Sequence, residues 1–331
     1  MRCAVIGAGA WGTALADLLA RNEHEVLLWA YEPDVAQAIN TRHSNPRFLP
    51  GASLARSLRS TSSLEESLDG AEMVTYVTPS HVLRAVSRQA APHTNDSATL
   101  VVASKGIERE TLRTMSEVVR EETGVDAVVA LSGPSFAAEV AQRQPTAVVA
   151  ASNDHDRAVG VQLAFSSSTF RVYTHDDELG VELGGALKNV MAIATGLAEG
   201  LGLGHNPRAA LITRGLAEIA RLGDALGADP RTFAGLAGLG DLVLTCTGAL
   251  SRNRALGMDI GKGATLEEAL ATRETVAEGV FTTQSAHALA AREGVEMPIV
   301  SAVHRILFEQ QPPRDAMDDL MSRELRAESD R

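Results

Sequence analysis

Near the start of the chain, a short apolar run, Arg2–Ile6, leads into Gly7-Ala8-Gly9-Ala10-Trp11-Gly12, and the apolar residues of Trp11–Arg21 then recur with the period of a helix. A Gly-x-Gly-x-x-Gly turn between a strand and a helix constrains the fold more than any other feature of the sequence. Gly7 permits the tight turn, Gly9 lets a pyrophosphate approach the backbone, and Gly12 lets helix and strand pack closely. The helix N-terminus adds unbonded N–H groups and a positive dipole end for an anion. A glycine-rich turn without a ligand has the same letters. The flanking elements and the βα alternation that follows favour a dinucleotide site.

Further strand patterns occur at Glu25–Ala30, Met73–Val77, Thr99–Ala103, Ala127–Leu131, Ala147–Ala151 and Arg171–Tyr173, with amphipathic stretches between most of them. Strands apolar on both faces and separated by helices predict an α/β unit, a Rossmann-type, doubly wound and mostly parallel sheet covered on both sides. From about Asp177 the pattern changes, and helical stretches follow one another over 178–200, 207–226, 251–260, 266–272, 282–293 and 299–309. The expected organisation is a dinucleotide-binding domain over 1–177, an all-helical substrate and catalytic domain over 178–320, and a frayed, highly charged tail over 321–331.

The formal net charge of −12 argues against nucleic acid or an anionic membrane as the main partner, because both reward a basic surface. It leaves room for a small anion held by a few local cations and N–H groups. The two cysteines, Cys3 and Cys246, form no disulfide framework or zinc pattern and suit the core of a protein in a reducing compartment. Met1 to Gly9 has none of the regions of a signal peptide, and the apolar segment near 179–204 carries Glu182, Lys188 and Glu199, which makes it a poor membrane span. The expected location is cytoplasmic, without stable membrane insertion.

That same segment, Leu179–Gly202, is apolar nearly all round, so it should be a buried helix, and Lys188 and Asn189 interrupt it. Lys188 is either a snorkelling surface lysine or, with Gly184 and Gly185 opening room beside it, a desolvated acid/base. Ser104-Lys105-Gly106 and Gly133-Pro134-Ser135 each follow a strand, at the carboxyl edge where ligands bind, though each alone also reads as a plain turn. Asp241, in Gly238-Leu239-Gly240-Asp241, is by default a helix cap. Ser251 reads as the N-cap of the next helix, leaving the N–H groups of Arg252 and Asn253 beside a guanidinium, an arrangement suited to phosphate. Arg252 and Arg254 can equally be a solvated pair.

Taken together, Gly-Ala-Gly-Ala-Trp-Gly-Thr-Ala-Leu-Ala (7–16), Asn-Pro-Arg-Phe-Leu-Pro-Gly (45–51), Ser-Lys-Gly-Ile-Glu (104–108) and Gly-Pro-Ser-Phe-Ala-Ala-Glu-Val (133–140) resemble bacterial NAD(P)-dependent glycerol-3-phosphate dehydrogenases. So do Glu-Leu-Gly-Gly-Ala-Leu-Lys-Asn-Val (182–190), Gly-Asp-Leu-Val-Leu-Thr-Cys-Thr (240–247), Ser-Arg-Asn-Arg (251–254) and Val-Ala-Glu-Gly-Val (276–280), in the same order. The resemblance implies reversible conversion of dihydroxyacetone phosphate to sn-glycerol 3-phosphate for phospholipid synthesis, a homodimer, NAD or NADP as cofactor, and no metal. It makes Lys188 the acid/base, with Lys105, Asn189, Asp241 and Thr245 around the reacting end. It gives the substrate phosphate to Arg252 with Ser251 and Asn253, adds Gly133 and Ser135 to the substrate, and lines the cofactor with Gly7, Gly9, Ala10, Trp11, Gly12, Lys105, Ala137, Arg252, Val276 and Glu278. A 3-hydroxyacid or phosphogluconate dehydrogenase shares the general plan but would need a different anion site, and a cofactor-sensing protein without chemistry would have no use for Lys188, Asp241 and Lys105 together.

Members of that family often carry an arginine just after the second strand, where the adenosine ribose is met. Here Tyr31 takes that place and Glu32 follows, 20 residues after Gly12, the spacing of the acid that accepts a ribose 2′-hydroxyl. The expectation is that NADH is used at least as well as NADPH. Glu32 could instead simply begin the next helix, and Arg42 or Arg47 could fold back to meet a 2′-phosphate.

Overall fold

The computed structural model describes all residues except 272, 274–276, 326 and 329–331. The chain forms two compact units, one of Met1–Lys105 and Arg113–Val181, the other of Gly106–Leu112 and Glu182–Arg331.

In the first unit the chain runs β1 (Arg2–Ile6), α1 (Ala10–Arg21), β2 (Glu25–Trp29), α2 (Pro33–Arg42), β3 (Arg59–Thr61), α3 (Leu64–Leu68), β4 (Met73–Tyr76), α4 (Ser80–Ala90), β5 (Thr99–Val102), α5 (Met115–Thr123), β6 (Val128–Ser132), α6 (Ala137–Ala141), β7 (Thr146–Ala151), α7 (His155–Phe165) and β8 (Phe170–His175). One eight-stranded sheet results, in the order β3-β2-β1-β4-β5-β6-β7-β8. All neighbours are parallel except β6 and β7. From β1 the chain works outward to β3 and then returns to β4 on the other side of β1. That reversal is the switch point of a doubly wound sheet, where ligands bind beyond the carboxyl ends of the strands.

Successive strand side chains point to opposite faces. Cys3 and Val5 of β1 therefore pack with Leu15 and Leu19 of α1, Val35 and Ile39 of α2 and Phe165 of α7, whereas Ala4 and Ile6 pack with Leu83 of α4 and Val118 of α5. Burying each such large side chain contributes about 1.5–3 kcal/mol. The sequence pattern gave no sign of β3, a three-residue strand with no apolar alternation. Polar contacts hold it instead: Ser60 Oγ donates to Leu28 O at 2.7 Å, and Ser60 N donates to Asn40 Oδ1 at 2.9 Å.

The second unit is helical: α8 (Glu178–Gly200), whose residues from Glu182 onward belong to it, α9 (His205–Ala225), α10 (Asp241–Thr247), α11 (Arg252–Gly261), α12 (Leu266–Ala271), α13 (Glu278–Glu293), α14 (Pro298–Phe308) and α15 (Pro313–Met321). Two single turns, Pro230–Ala234 and the π-type Leu236–Gly240, precede α10. As its composition requires, α8 is buried on every side from Leu183 to Ala198. Its crossing with α11 is made by glycines at four-residue spacing on both helices. A Cβ at Gly196 would lie 2.1 Å from Arg254 O, and one at Gly257 would lie 2.2 Å from Ile193 O. Only glycine allows the two backbones this close, and the crossing brings the start of α11 beside the middle of α8.

The sequence pattern missed α10 and α15. α10 is only seven residues long, and α15 buries only Ala316, too little for an apolar period to show. No helix of the described residues is long and apolar enough to cross a membrane.

Candidate active site

In the sheet unit, Gly7 has φ +119°, and a Cβ there would meet Val77 O at 2.9 Å. A Cβ at Gly12 would collide with Gly7 O, while one at Gly9 would meet nothing within 4 Å. The turn is thus closed against its own strand at Gly7 and Gly12 and open at Gly9, on the side from which a pyrophosphate would approach. α1 starts there with no side-chain cap. Its first N–H groups lack helical partners by geometry. Ala10, Trp11, Phe48, Val77 and Ala137 are half-buried apolar residues packed on the neighbouring core. An uncapped helix start over an open glycine suits a dinucleotide phosphate.

Asn45 secures this turn. It is fully buried, its Nδ2 donates to Ala8 O at 2.8 Å and to Thr13 Oγ1 at 2.9 Å, and its Oδ1 accepts the Phe48 N–H at 3.1 Å. At the end of β2, Tyr31 is 78% exposed, edge-on to Trp29. Glu32 is the N-cap residue of α2 by backbone geometry, yet its side chain caps nothing. The carboxylate instead faces Arg47, with Nη1 3.9 Å from Oε1. Further along the same sheet edge, Lys105 Nζ donates to Gly133 O at 3.2 Å, and Ser135 Oγ donates to the same carbonyl at 3.1 Å. Gly133, at φ +145°, has no room for a Cβ beside Val148.

In the helical unit, Lys188 is buried, and its ammonium donates to Asp241 Oδ1 at 2.5 Å and to Thr245 Oγ1 at 2.9 Å. Thr245 in turn donates to the Asp241 carbonyl at 2.6 Å, so its oxygen is turned toward the lysine as an acceptor. Lys188 is therefore no snorkelling surface lysine. Asp241 opens α10, and its side chain goes to the lysine rather than to capping. Gly184 does not leave open room: a Cβ there would lie 2.8 Å from Ala237 O, so the Leu236–Gly240 turn fills that space and delivers Asp241 to α8.

Asn189 Oδ1 accepts from Asn253 Nδ2 at 2.9 Å, and Asn253 Oδ1 accepts the Gly279 N–H at 3.0 Å, tying α8, α11 and α13 together. Ser251 caps α11, its Oγ accepting the Arg254 N–H at 3.2 Å. Arg254 is not part of a solvated pair. It grips Glu199 through Nε at 3.0 Å and Nη2 at 2.7 Å. Arg252, at the first position of α11, stays exposed by surface area although protein atoms crowd its guanidinium. This crowding draws its pKa down from the ordinary value, against the pull of the Glu278 carboxylate at the start of α13. Val276 lies outside the described residues. Cys3 and Cys246 are free and buried, and burial pushes both thiols up to about 12, which makes them inert core residues. A cavity of about 330 Å³ elsewhere in this unit, among His287, Met297, Ser301, Arg305 and Asp319, holds none of these candidates.

Residues 2–158 match the family model of the NAD-dependent glycerol-3-phosphate dehydrogenase N-terminus, and residues 177–318 match that of its C-terminus. The chain belongs to the glycerol-3-phosphate dehydrogenase family. It is 55% identical over 327 residues to the glycerol-3-phosphate dehydrogenase [NAD(P)+] of Geobacter metallireducens, covering 98% of both chains, and 54% identical to the one from Syntrophotalea carbinolica, covering 100% of both. The crystal structure of the glycerol-3-phosphate dehydrogenase of Coxiella burnetii superposes with a TM-score of 0.93 at 42% identity, covering 97% of this chain and 98% of that one.

As a member of this family the chain is an NAD(P)-dependent oxidoreductase. Several residues that shape its site carried no individual sequence signal. Asn45 stood inside a recognised motif, and an Asn before Pro was the available hint of a turn anchor. Glu199 and the Gly196/Gly257 crossing look, in one dimension, like ordinary helix residues.

Proposed function

We propose that this chain reversibly reduces dihydroxyacetone phosphate to sn-glycerol 3-phosphate, with Lys188 as the proton donor and acceptor. The buried Lys188–Asp241–Thr245 cluster carries this reading, because a carbonyl becoming an alkoxide needs a positioned proton source. Asp241 holds and orients the ammonium by a charge-assisted hydrogen bond, and Thr245 fixes its direction from the other side. The Gly7–Gly12 turn and the start of α1 would hold the dinucleotide, which when bound supplies or accepts the hydride. Arg252 and the N-terminal N–H groups of α11 bind the substrate phosphate, with Ser251 holding the end of that helix in shape and Asn253 fixing it to Asn189. Lys105, Gly133 and Ser135 belong to the substrate as well. In the reverse direction Lys188 accepts the proton of the secondary alcohol.

Glu32 favours NADH at least as much as NADPH. The product serves phospholipid synthesis, and the enzyme works in the cytoplasm as a homodimer. The test is oxidation of NADH, and separately of NADPH, with dihydroxyacetone phosphate and with dihydroxyacetone. Turnover that requires the phosphate supports the assignment, and equal turnover of both ketones refutes it. An NADPH preference above about tenfold in kcat/KM, roughly 1.4 kcal/mol, would show that Glu32 does not govern the ribose site.

A further inference from the structure

We propose that Glu32 and Arg47 form an opposed pair at the 2′ position of the adenosine ribose. The carboxylate takes a 2′-hydroxyl and the guanidinium takes a 2′-phosphate, so one chain accepts both forms of the dinucleotide. The inference rests on the dinucleotide reading of the Gly7–Gly12 turn and deepens it.

Glu32 alone would repel a 2′-phosphate. Arg47 is the cation that answers it, and it stands on an anchored loop. Asn45, two residues earlier, is bonded to Ala8 of the glycine turn and to Thr13 of α1. The far end of the loop is tied to α1 as well. Asp17 accepts the Ala55 N–H at 2.6 Å and pairs with Arg21 at 2.7 Å, and Arg21 donates to Ser53 O at 2.9 Å. The loop is thus indexed to the helix that would receive the pyrophosphate.

On this base the Arg47 guanidinium lies over the Phe48 ring, 5.1 Å from its centre. Its contact with Glu32, at 3.9 Å, is an ion pair too long to be a hydrogen bond. Half of the Arg47 side chain and a quarter of that of Glu32 remain in solvent, at 52% and 26%. The guanidinium is therefore located by its aromatic seat while its hydrogen-bonding edge is not locked to the carboxylate. A planar fork of N–H donors matches a phosphate bidentately, whereas a carboxylate can only accept, as a ribose hydroxyl requires. Arg42, the alternative cation raised from the sequence, ends α2, about 14 Å along the helix from its start at Pro33. It is the less suitable partner.

The test measures binding by calorimetry on the full chain, with adenosine 2′,5′-bisphosphate and ADP as probes, then NADP+ and NAD+. Arg47→Gln should weaken the bisphosphate at least tenfold and ADP less than twofold. Arg47→Lys should recover part of the loss, because it restores charge without the fork. Glu32→Gln should shift the ratio the other way, tightening the bisphosphate relative to ADP by at least threefold. If Arg47→Gln leaves the ratio of the two affinities unchanged while ADP still binds, the pair does not read the 2′ position and the dinucleotide site stands. If the wild-type chain binds neither probe nor either dinucleotide, the dinucleotide reading fails and takes the pair with it.

Discussion

The glycine edge of the sheet unit and the lysine cluster of the helical unit are built by opposite means. At the first, the groups we propose to face a ligand belong to the backbone: the open space over Gly9 and the uncapped start of α1. At the second they are buried side chains, and Lys188 is held in place by Asp241 and Thr245. A backbone site needs nothing more than the right turn, so six consecutive residues specify it. A buried charge needs partners that offset its desolvation. Here those partners lie 53 and 57 positions further along the chain. Local chemistry can therefore be read from a motif, while the second kind exists only once the helices have packed.

The comparison is most open to test where the effects are largest. Lys188→Ala should lower kcat about 10²–10⁴-fold while cofactor affinity and the folded state persist. Turnover within threefold of wild type would remove the lysine from the chemistry. Gly196→Ala should cost several kcal/mol, on the order of 3 or more, because its Cβ would lie 2.1 Å from a backbone oxygen that cannot move alone. Denaturant unfolding measures this, and a cost below about 1 kcal/mol would show that the α8/α11 crossing can spread. Arg252→Ala should raise KM for dihydroxyacetone phosphate by about 1.5–3 kcal/mol, near ten- to hundredfold, and far more than it changes KM for the cofactor. Inorganic phosphate competing equally well against wild type and variant would place the anion elsewhere.

Gly9→Ala gives the sharpest contrast with Gly196. Its Cβ meets no protein atom within 4 Å, so the melting temperature should hold while dinucleotide affinity falls about tenfold, near 1.4 kcal/mol. Unchanged affinity would mean that nothing approaches the backbone there.

The smallest effect, read per pH unit, concerns Glu218, buried on α9, which accepts the Ile299 and Val300 N–H groups at the start of α14, at 2.8 and 3.3 Å. Burial pushes its carboxyl from 4.5 up to about 7, although those two donors pull it down. The folded chain then holds a proton that the unfolded chain has released. The stabilisation is complete below about pH 4.5 and is lost as pH rises through 7. Stability should fall by about 1 kcal/mol per pH unit between pH 5 and 7, and Glu218→Gln should flatten that slope. A wild-type chain with no such slope would contradict the shift.

Legibility followed the same division. The strands that cross the core announced themselves because both faces are apolar, and β3 did not, because Ser60 and Asn40 hold it through polar contacts. Lys188 stood out as a cation in an apolar helix, but whether it was buried and paired or snorkelling could not be read. Arg252 and Arg254 looked like one pair of equivalents. The fold separates them, giving Arg254 to Glu199 and leaving Arg252 at the helix start beside Glu278. Glu32 read either as a helix beginning or as a ribose acid. Its backbone does begin α2, while its side chain is turned to Arg47.

By itself, the sequence determined the doubly wound sheet, the glycine turn and the buried central helix, since each depends on periodicity or on conformations confined to neighbouring residues. Tertiary structure decided which polar groups meet. It placed Asp241 against Lys188 by closing the 236–240 turn onto Gly184, and it brought Asn253 to Asn189 through a glycine crossing. Such pairings have no local code, because they follow from how closely two backbones, distant in sequence, can approach one another.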